Sequence, residues 1–287
     1  MAARSSSNLS RLGLPLCRLG RPVPRTWNHV HQARYALKTE AVSRSFHSIF
    51  PGKKVAPANI RPLKPCRDLR GKVAIVTGAG SQGSEVGNGR ATSMLLAEDG
   101  ATVVCVDRQL ELAEKTVSMI EEMGKSRGTC SPEGTPLKAG IKAVAMAADV
   151  TREADCKRIV QKTMSMFGRL DILVNVVGIM GVKGDAVDLA DLDAWAKGLE
   201  INVTSMMLMA RFAIPAMMEK ERSDQEPIRG SIVNMGSVAG LQGGTPHLLY
   251  PTSKGAVVNM TRAMAAHHGA DGIRVNCVCP GQSQKND

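Results

Sequence analysis

Aromatic side chains are scarce in this chain. It holds two Trp, two Tyr and four Phe among 287 residues, 3% in all. Gly, Ala, Val and Met are plentiful instead, which suits a closely packed α/β core of small side chains. No stretch reaches ~18 apolar residues free of charge, so no transmembrane helix is expected. Cysteines are few, scattered and odd in number, at positions 17, 66, 105, 130, 156, 277 and 279. Cys277 and Cys279 form a C-x-C, but they alternate with Val278 in an expected strand, and no second pair completes a zinc site. Neither a disulfide framework nor a metal centre is expected. The cysteines read as reduced thiols, as a matrix or cytosolic compartment keeps them.

Acid is nearly absent from the first part of the chain. Residues 1–67 carry thirteen Lys and Arg against one acid, Glu40, so the net charge of +11 belongs to this segment and the remainder is close to −1. Residues 1–50 are rich in Arg and Ser and lack the 7 to 15 residue apolar run of a secretory signal, the pattern of an organelle transit peptide. Mitochondrial (matrix) import is the expectation, with cleavage between Arg34 and Phe50; a cytoplasmic location is the alternative. A basic arm that binds nucleic acid or an anionic membrane is disfavoured, because no aromatic interleaving or nucleic-acid module accompanies it. Residues 51–68 are proline-rich and read as a linker. The domain proper is assigned to 69–287.

Within that domain the pattern alternates strand and helix. Lys72 to Thr77 is a β-branched apolar run that ends in the glycine-rich loop GAGSQGSEVGNG, with Gly78, Gly80, Gly87 and Gly89. A helix follows, and then a second strand, TVVCVD, which ends in Asp107. Strand, glycine turn, helix and strand with a terminal acid form a dinucleotide-binding signature. Glycine lets the backbone approach a pyrophosphate, and the helix N-terminus offers free N–H groups and a positive dipole end. Asp107 stands where a carboxylate would take the ribose hydroxyls and repel a 2′-phosphate, so NAD is preferred. Arg108 beside it keeps NADP possible.

The alternation continues. A helix over Leu110 to Met123 precedes a polar Gly/Pro-rich excursion, GKSRGTCSPEGTPLKAG, read as a surface insertion. A third strand ends at Asp149 and Val150, a place for an adenine contact, and Thr151 is expected to N-cap the next helix. The fourth strand ends in Asn175 and Gly178. One long helix around Trp195 to Lys220 carries Asn202, with its methionines as core filler. The fifth strand delivers Ser237, the helix of Tyr250 and Lys254 follows, and IRVNCVCPG is the sixth strand. The fold class expected is α/β: a doubly wound parallel sheet of Rossmann type in three αβα layers. Ligands bind such sheets beyond the C-terminal strand ends, where the glycine loop, Asp107, Asp149, Asn175 and Ser237 all fall.

Tyr250 and Lys254 are spaced i, i+4, which places phenol and ammonium on one helix face. A neighbouring cation favours the phenolate, so a tyrosine that ordinarily titrates near pH ~10 can serve as general acid or base closer to neutrality. His247, near the mouth of that site, reads as a solvated loop histidine.

From Arg70 to Gly281 the chain resembles the short-chain dehydrogenase/reductase family. The resemblance rests on the loop Thr77 to Gly89, Asp149, Asn175 with Gly178, Asn202, Ser237, Tyr250 with Lys254, and Pro280 with Gly281. It implies that Tyr250 is the general acid/base for an alcohol or carbonyl oxygen, and that Lys254 lowers its pKa and holds the nicotinamide ribose. It implies further that Ser237 orients the substrate oxygen, Asn202 positions a water in a proton relay, and Asn175 supports the cofactor bed. Pro280 and Gly281 open the segment that fixes the nicotinamide amide.

The chain departs from the family pattern in three places. The glycine loop carries five extra residues. The usual Asn-Asn-Ala-Gly is Asn-Val-Val-Gly. After Gly281 only QSQKND follows, so a final strand, a substrate lid and most of the usual oligomer interface are expected to be missing. The reading is an NAD(P)-dependent oxidoreductase interconverting a secondary alcohol and a ketone, with 3-oxoacyl reductases as one plausible subgroup. The alternative is a shortened, catalytically impaired NAD-binding protein with a regulatory role. The partner expected is a small-molecule alcohol or ketone; a homo-oligomer is possible.

Overall fold

A computed structural model of the chain describes residues 68–82, 86–126, 142–186, 191–221, 227–243 and 245–281. The chain divides into two units, Met1–Lys64 and Pro65–Asp287, and every described residue belongs to the second. The transit-peptide-like leader, nearly all of the linker, the body of the 124–140 excursion and the terminal QSQKND lie outside the described residues.

Six parallel strands form one sheet: β1 Val73–Thr77, β2 Thr102–Asp107, β3 Ala143–Ala147, β4 Ile172–Asn175, β5 Gly230–Met235 and β6 Ile273–Val278, in the order β3-β2-β1-β4-β5-β6. The order reverses between β1 and β4, and a crevice opens there at the C-terminal strand ends. The helices are α1 Asn88–Glu98, α2 Leu110–Ser126, α3 Glu153–Phe167, α4 Leu192–Leu199, α5 Ser205–Met218 and α6 Leu249–His268.

Strand side chains alternate between two cores, as a period of two requires. Val76, Val103, Cys105 and Val174 face Ala97 of α1 and Ala113 and Ile120 of α2. Ile75, Val104, Leu173 and Ile232 face Cys156, Ile159 and Val160 of α3 and Met209, Ala213 and Met217 of α5, with Met264 and Ala265 of α6 packed alongside. The doubly wound αβα expectation is met. The parallel strands are apolar on both faces because helices cover both.

Two local expectations need correction. Thr151 does not cap α3: the cap is Arg152, in an extended conformation with no side-chain capping bond, while the Thr151 hydroxyl donates to Asp149 Oδ1 at 2.7 Å. The Asp149 carboxylate competes successfully for a hydroxyl that could otherwise reach the helix amides. The long helix around Trp195 is not uniform, since a π-turn over Glu200–Thr204 separates α4 from α5. The combined run Leu192–Met218 would be long and apolar enough to cross a membrane by length and composition alone, but it packs inside the domain as a core helix does, so no transmembrane reading follows from it.

Candidate active site

The row of residues at the C-terminal ends of the central strands is polar and in register: Thr77 pairs with Asn175, Asn175 with Asn234, and Asn234 with Cys277. Asn175 Nδ2 donates to Asn234 Oδ1 at 2.9 Å, and Asn234 Nδ2 donates to Thr261 Oγ1 of α6 at 3.0 Å. Both asparagines are buried, so these bonds offset the cost of removing amides from water. Among the described residues, Asn175 Oδ1 is buried with no hydrogen-bond partner. Asn234 was missed in the sequence, where it looks like an ordinary interior strand position; an Asn inside an apolar run was the available signal.

Beyond that row lie two clefts. The first, of about 350 Å³, is lined by Gly78, Gly80, Asp107, Arg108, Asp149, Val150 and Thr151 among others. Gly78 has φ +68°, and a Cβ on Gly89 would fall 1.8 Å from the Gly78 carbonyl oxygen, so α1 starts directly against the end of β1. Gly87 caps α1, and Gly80 donates its N–H to Asp107 Oδ2 at 3.0 Å. Asp107 thus ties the loop to β2, a role the sequence reading did not assign. Asp149 is held below the usual carboxylate range. Burial pushes it up, but the amide and hydroxyl of Thr151 outweigh that, with Lys197 and Arg108 adding to them.

The second cleft, of about 810 Å³, is lined by Ser237, Tyr250, Lys254, Pro280, Gly281, His247 and Met180 among others. Val176, Gly178 and Ile179 line both, so the two clefts join at the end of β4. Lys254 is buried, its Nζ donating to the Met235 carbonyl at 2.7 Å and lying 5.8 Å from the centre of the Tyr250 ring. Burial pushes the Lys254 pKa down, while thiolate charge on Cys277 or Cys279 would raise it. Ser237 Oγ accepts from Ala239 N at 3.2 Å. His247 is half-buried rather than solvated; Gly184 N donates to its Nδ1 at 3.5 Å.

Glycines also build this second cleft, and the sequence reading overlooked them. A Cβ on Gly240 would lie 2.4 Å from the Lys254 carbonyl carbon, so the 3₁₀ turn Val238–Gly240 lies directly on α6 and brings Ser237 to Tyr250 and Lys254. Cβ atoms on Gly181 and Gly198 would each come within 2.3 Å of Leu249 Cδ2, which seats the first residue of α6. Asn202 sits in the π-turn, fully buried. Its Oδ1 accepts from Ile179 N at 2.8 Å, and its Nδ2 donates to Ile179 O and to Ser253 Oγ, both at 2.9 Å. The side chain therefore clamps the strap after β4 and reaches α6. A π-turn of this kind often marks a functional position within a helix.

Every predicted site residue within the described segments lies at this edge of the sheet. The donor set suits an extended dinucleotide: a glycine loop and carboxylate at one end, an ammonium and a phenol at the other. Residues 72–284 match the short chain dehydrogenase family. The chain belongs to the short chain dehydrogenase family. It is accordingly an oxidoreductase acting on CH–OH donors. It is 35% identical over 213 residues to 2-(S)-hydroxypropyl-CoM dehydrogenase 3 of Xanthobacter autotrophicus, spanning 74% of this chain and 72% of that one. It is 31% identical over 215 residues to meso-2,3-butanediol dehydrogenase of Serratia marcescens, spanning 75% and 72%. A crystal structure described as a short-chain dehydrogenase/reductase from Burkholderia xenovorans superposes with a TM-score of 0.64 at 35% identity, over 75% of each chain.

Proposed function

We propose that this protein is an NAD-dependent dehydrogenase that interconverts a secondary alcohol and its ketone, with Ser237, Tyr250 and Lys254 as the groups that face the reacting oxygen. The observation that carries the reading is the convergence of those three residues on one cleft that joins the Asp107 cleft at Gly178. NAD, when bound, supplies hydride transfer. Residues 78–89, Asp107, Asp149, Val150, Asn175 and Gly178 would hold it, with Pro280 and Gly281 at the nicotinamide end. Asp107 favours NAD by charge over the 2′-phosphorylated form, which Arg108 alone would have to accommodate.

The residues themselves then divide the proton work. The Ser237 oxygen accepts a backbone N–H, which leaves its hydroxyl proton free to donate to a substrate oxygen. One of the three Lys254 donors is spent on the Met235 carbonyl, and the other two remain for the ribose and the phenol side. Tyr250 exchanges the proton with the substrate oxygen. Asn202 positions the Ile179 strap and, through Ser253, whose hydroxyl donates to the Tyr250 carbonyl at 2.8 Å, the start of α6. A water relay past Asn202 extends this reading.

The test uses a panel of secondary alcohols and ketones, short diols, cyclic alcohols and 3-oxoacyl thioesters, read by NADH absorbance. Turnover on at least one class is expected, and Tyr250→Phe should lower it by about 10²–10⁴-fold while calorimetry shows NAD binding unchanged. Unimpaired turnover in Tyr250→Phe would overturn the assignment. NAD binding without turnover on any substrate would establish the impaired binding protein instead. For the leader we propose mitochondrial import; a reporter carrying residues 1–50 that stays diffuse and uncut would refute it.

A further inference from the structure

The C-x-C at the end of β6 has no assigned role in the reading above, yet it packs directly behind Gly236, which lines the catalytic cleft. Cys277 Sγ and Cys279 Sγ are 3.7 Å apart, and both are only half-buried. They stand at i and i+2, so even full extension would hold their Cα atoms at no more than about 6.6 Å, near the upper end of the range that a disulfide bridges. Gly236 makes the room for them: a Cβ there would lie 2.7 Å from one sulfur and 2.8 Å from the other. Cys277 also ends the polar row that runs from Thr77 through Asn175 and Asn234.

The backbone around the two sulfurs templates Ser237. Gly236 N donates to the Val278 carbonyl at 2.7 Å, and Val238 N donates to the Pro280 carbonyl at 3.1 Å. Ser237 is thus bracketed by two bonds to residues 278 and 280, which interleave with the cysteines. Pro280 and Gly281 line the cleft directly.

We propose that Cys277 and Cys279 are a dithiol modification site, oxidised to an intramolecular disulfide by a low-molecular-weight disulfide of the glutathione class, and that this oxidation switches the catalytic cleft off. One thiolate attacks the oxidant's sulfur and releases the first reduced thiol; the other thiolate attacks the mixed disulfide and releases the second. Two protons leave the protein and two electrons pass to the oxidant. The sulfurs must close from 3.7 Å to about 2.05 Å. The backbone carrying Val278 and Pro280 moves with them, and Ser237 follows through its two flanking bonds. Cys105 and Cys156 sit in the core, where burial pushes each thiol up to about 11. Burial and the neighbouring Cys279 push Cys277 up as well, so the pair is set apart by its half-exposure and its 3.7 Å separation and not by thiol acidity.

The experiment equilibrates the full chain in glutathione buffers from reducing to oxidising and reads three signals. Peptide mapping is expected to find one Cys277–Cys279 bond, with loss of two hydrogens. Dehydrogenase activity is expected to fall by at least about tenfold and to return with dithiothreitol, since small displacements of reacting groups are costly. Phenylarsine oxide is expected to bind one per chain, forming two S–As bonds with release of water, and to be displaced by a dithiol but not by a monothiol. Cys279→Ser should abolish the bond and the arsenical stoichiometry; if that variant does not fold, mapping and arsenical binding on the unaltered chain decide alone. The absence of the 277–279 bond in oxidising buffer, or a mapped bond that leaves both activity and NAD affinity unchanged, overturns the proposal. The activity arm rests on the dehydrogenase reading. Mapping, arsenical binding and NAD affinity do not, so the two can fail separately.

Discussion

The two clefts are made differently. The cleft at Asp107 is largely backbone: Gly78 at positive φ, Gly89 pressed on a carbonyl and Gly80 donating its N–H to a carboxylate. The cleft at Tyr250 is a lattice of side chains, with Asn202 on Ile179 and Ser253, Asn175 on Asn234, Asn234 on Thr261, and Lys254 on the Met235 carbonyl. A surface that takes phosphates needs close backbone approach and tolerates few side chains. A surface that moves a proton needs particular groups at particular angles, and those are held by their neighbours. The first should therefore fail when an atom is added; the second, which shares that intolerance at Gly240, Gly181 and Gly198, should fail also when a side-chain atom is removed.

Gly89→Ala is the strongest test of the backbone-built side. The added methyl would overlap the Gly78 oxygen at 1.8 Å, and the obstacle is main chain, which cannot rotate away. Loss of NAD binding by calorimetry is expected, with about 1–3 kcal/mol of stability lost in denaturant unfolding. Asn202→Ala tests the other side. It leaves Ile179 N–H and C=O unpaired, for about 1–3 kcal/mol, and should lower kcat more than it weakens NAD. An equal loss in both would show that the strap serves the cofactor rather than the proton donor.

Smaller effects sharpen the comparison. Asp107→Ala should relax the preference for NAD over NADP by about tenfold or more, measured as the ratio of the two kcat/KM values. Loosening of Gly80 should accompany it. Thr151→Val removes a hydroxyl donor from Asp149. Asp149 has a folded pKa below its unfolded one, so it contributes stability above the ordinary carboxylate range that is lost as pH falls through the lowered value. The variant should protonate Asp149 at a higher pH, as an NMR titration of that carboxyl reads directly, with little change at neutral pH.

Much of the fold was legible because parallel strands buried on both faces read as unbroken apolar runs, and Val73–Thr77, Thr102–Asp107 and Ile172–Asn175 are such runs. The placement of Asp107, Asp149, Ser237 and Lys254 at strand ends or on the helix after β5 was legible for the same reason. Other features depend on neighbours distant in sequence. Thr151 looked like a helix cap because local pattern favours it, but the Asp149 carboxylate took its hydroxyl. The π-turn at Asn202 leaves no periodic trace, since one extra residue in a turn is too small a break to see amid an apolar helix. His247 looked solvated and is half-buried beside Gly184.

What the sequence determined by itself was the alternation of strand and helix, the glycine loop and the order of the polar residues, because these follow from local periodicity and from backbone freedom at single positions. What only the tertiary structure decided was which atoms meet. Gly240 lets a turn lie on α6, Gly181 and Gly198 receive Leu249, and Gly236 makes room for two sulfurs beside Ser237. In each case the physical reason is the same: a missing Cβ matters only when another part of the chain arrives to occupy its space, and that arrival is a property of packing rather than of neighbours in sequence.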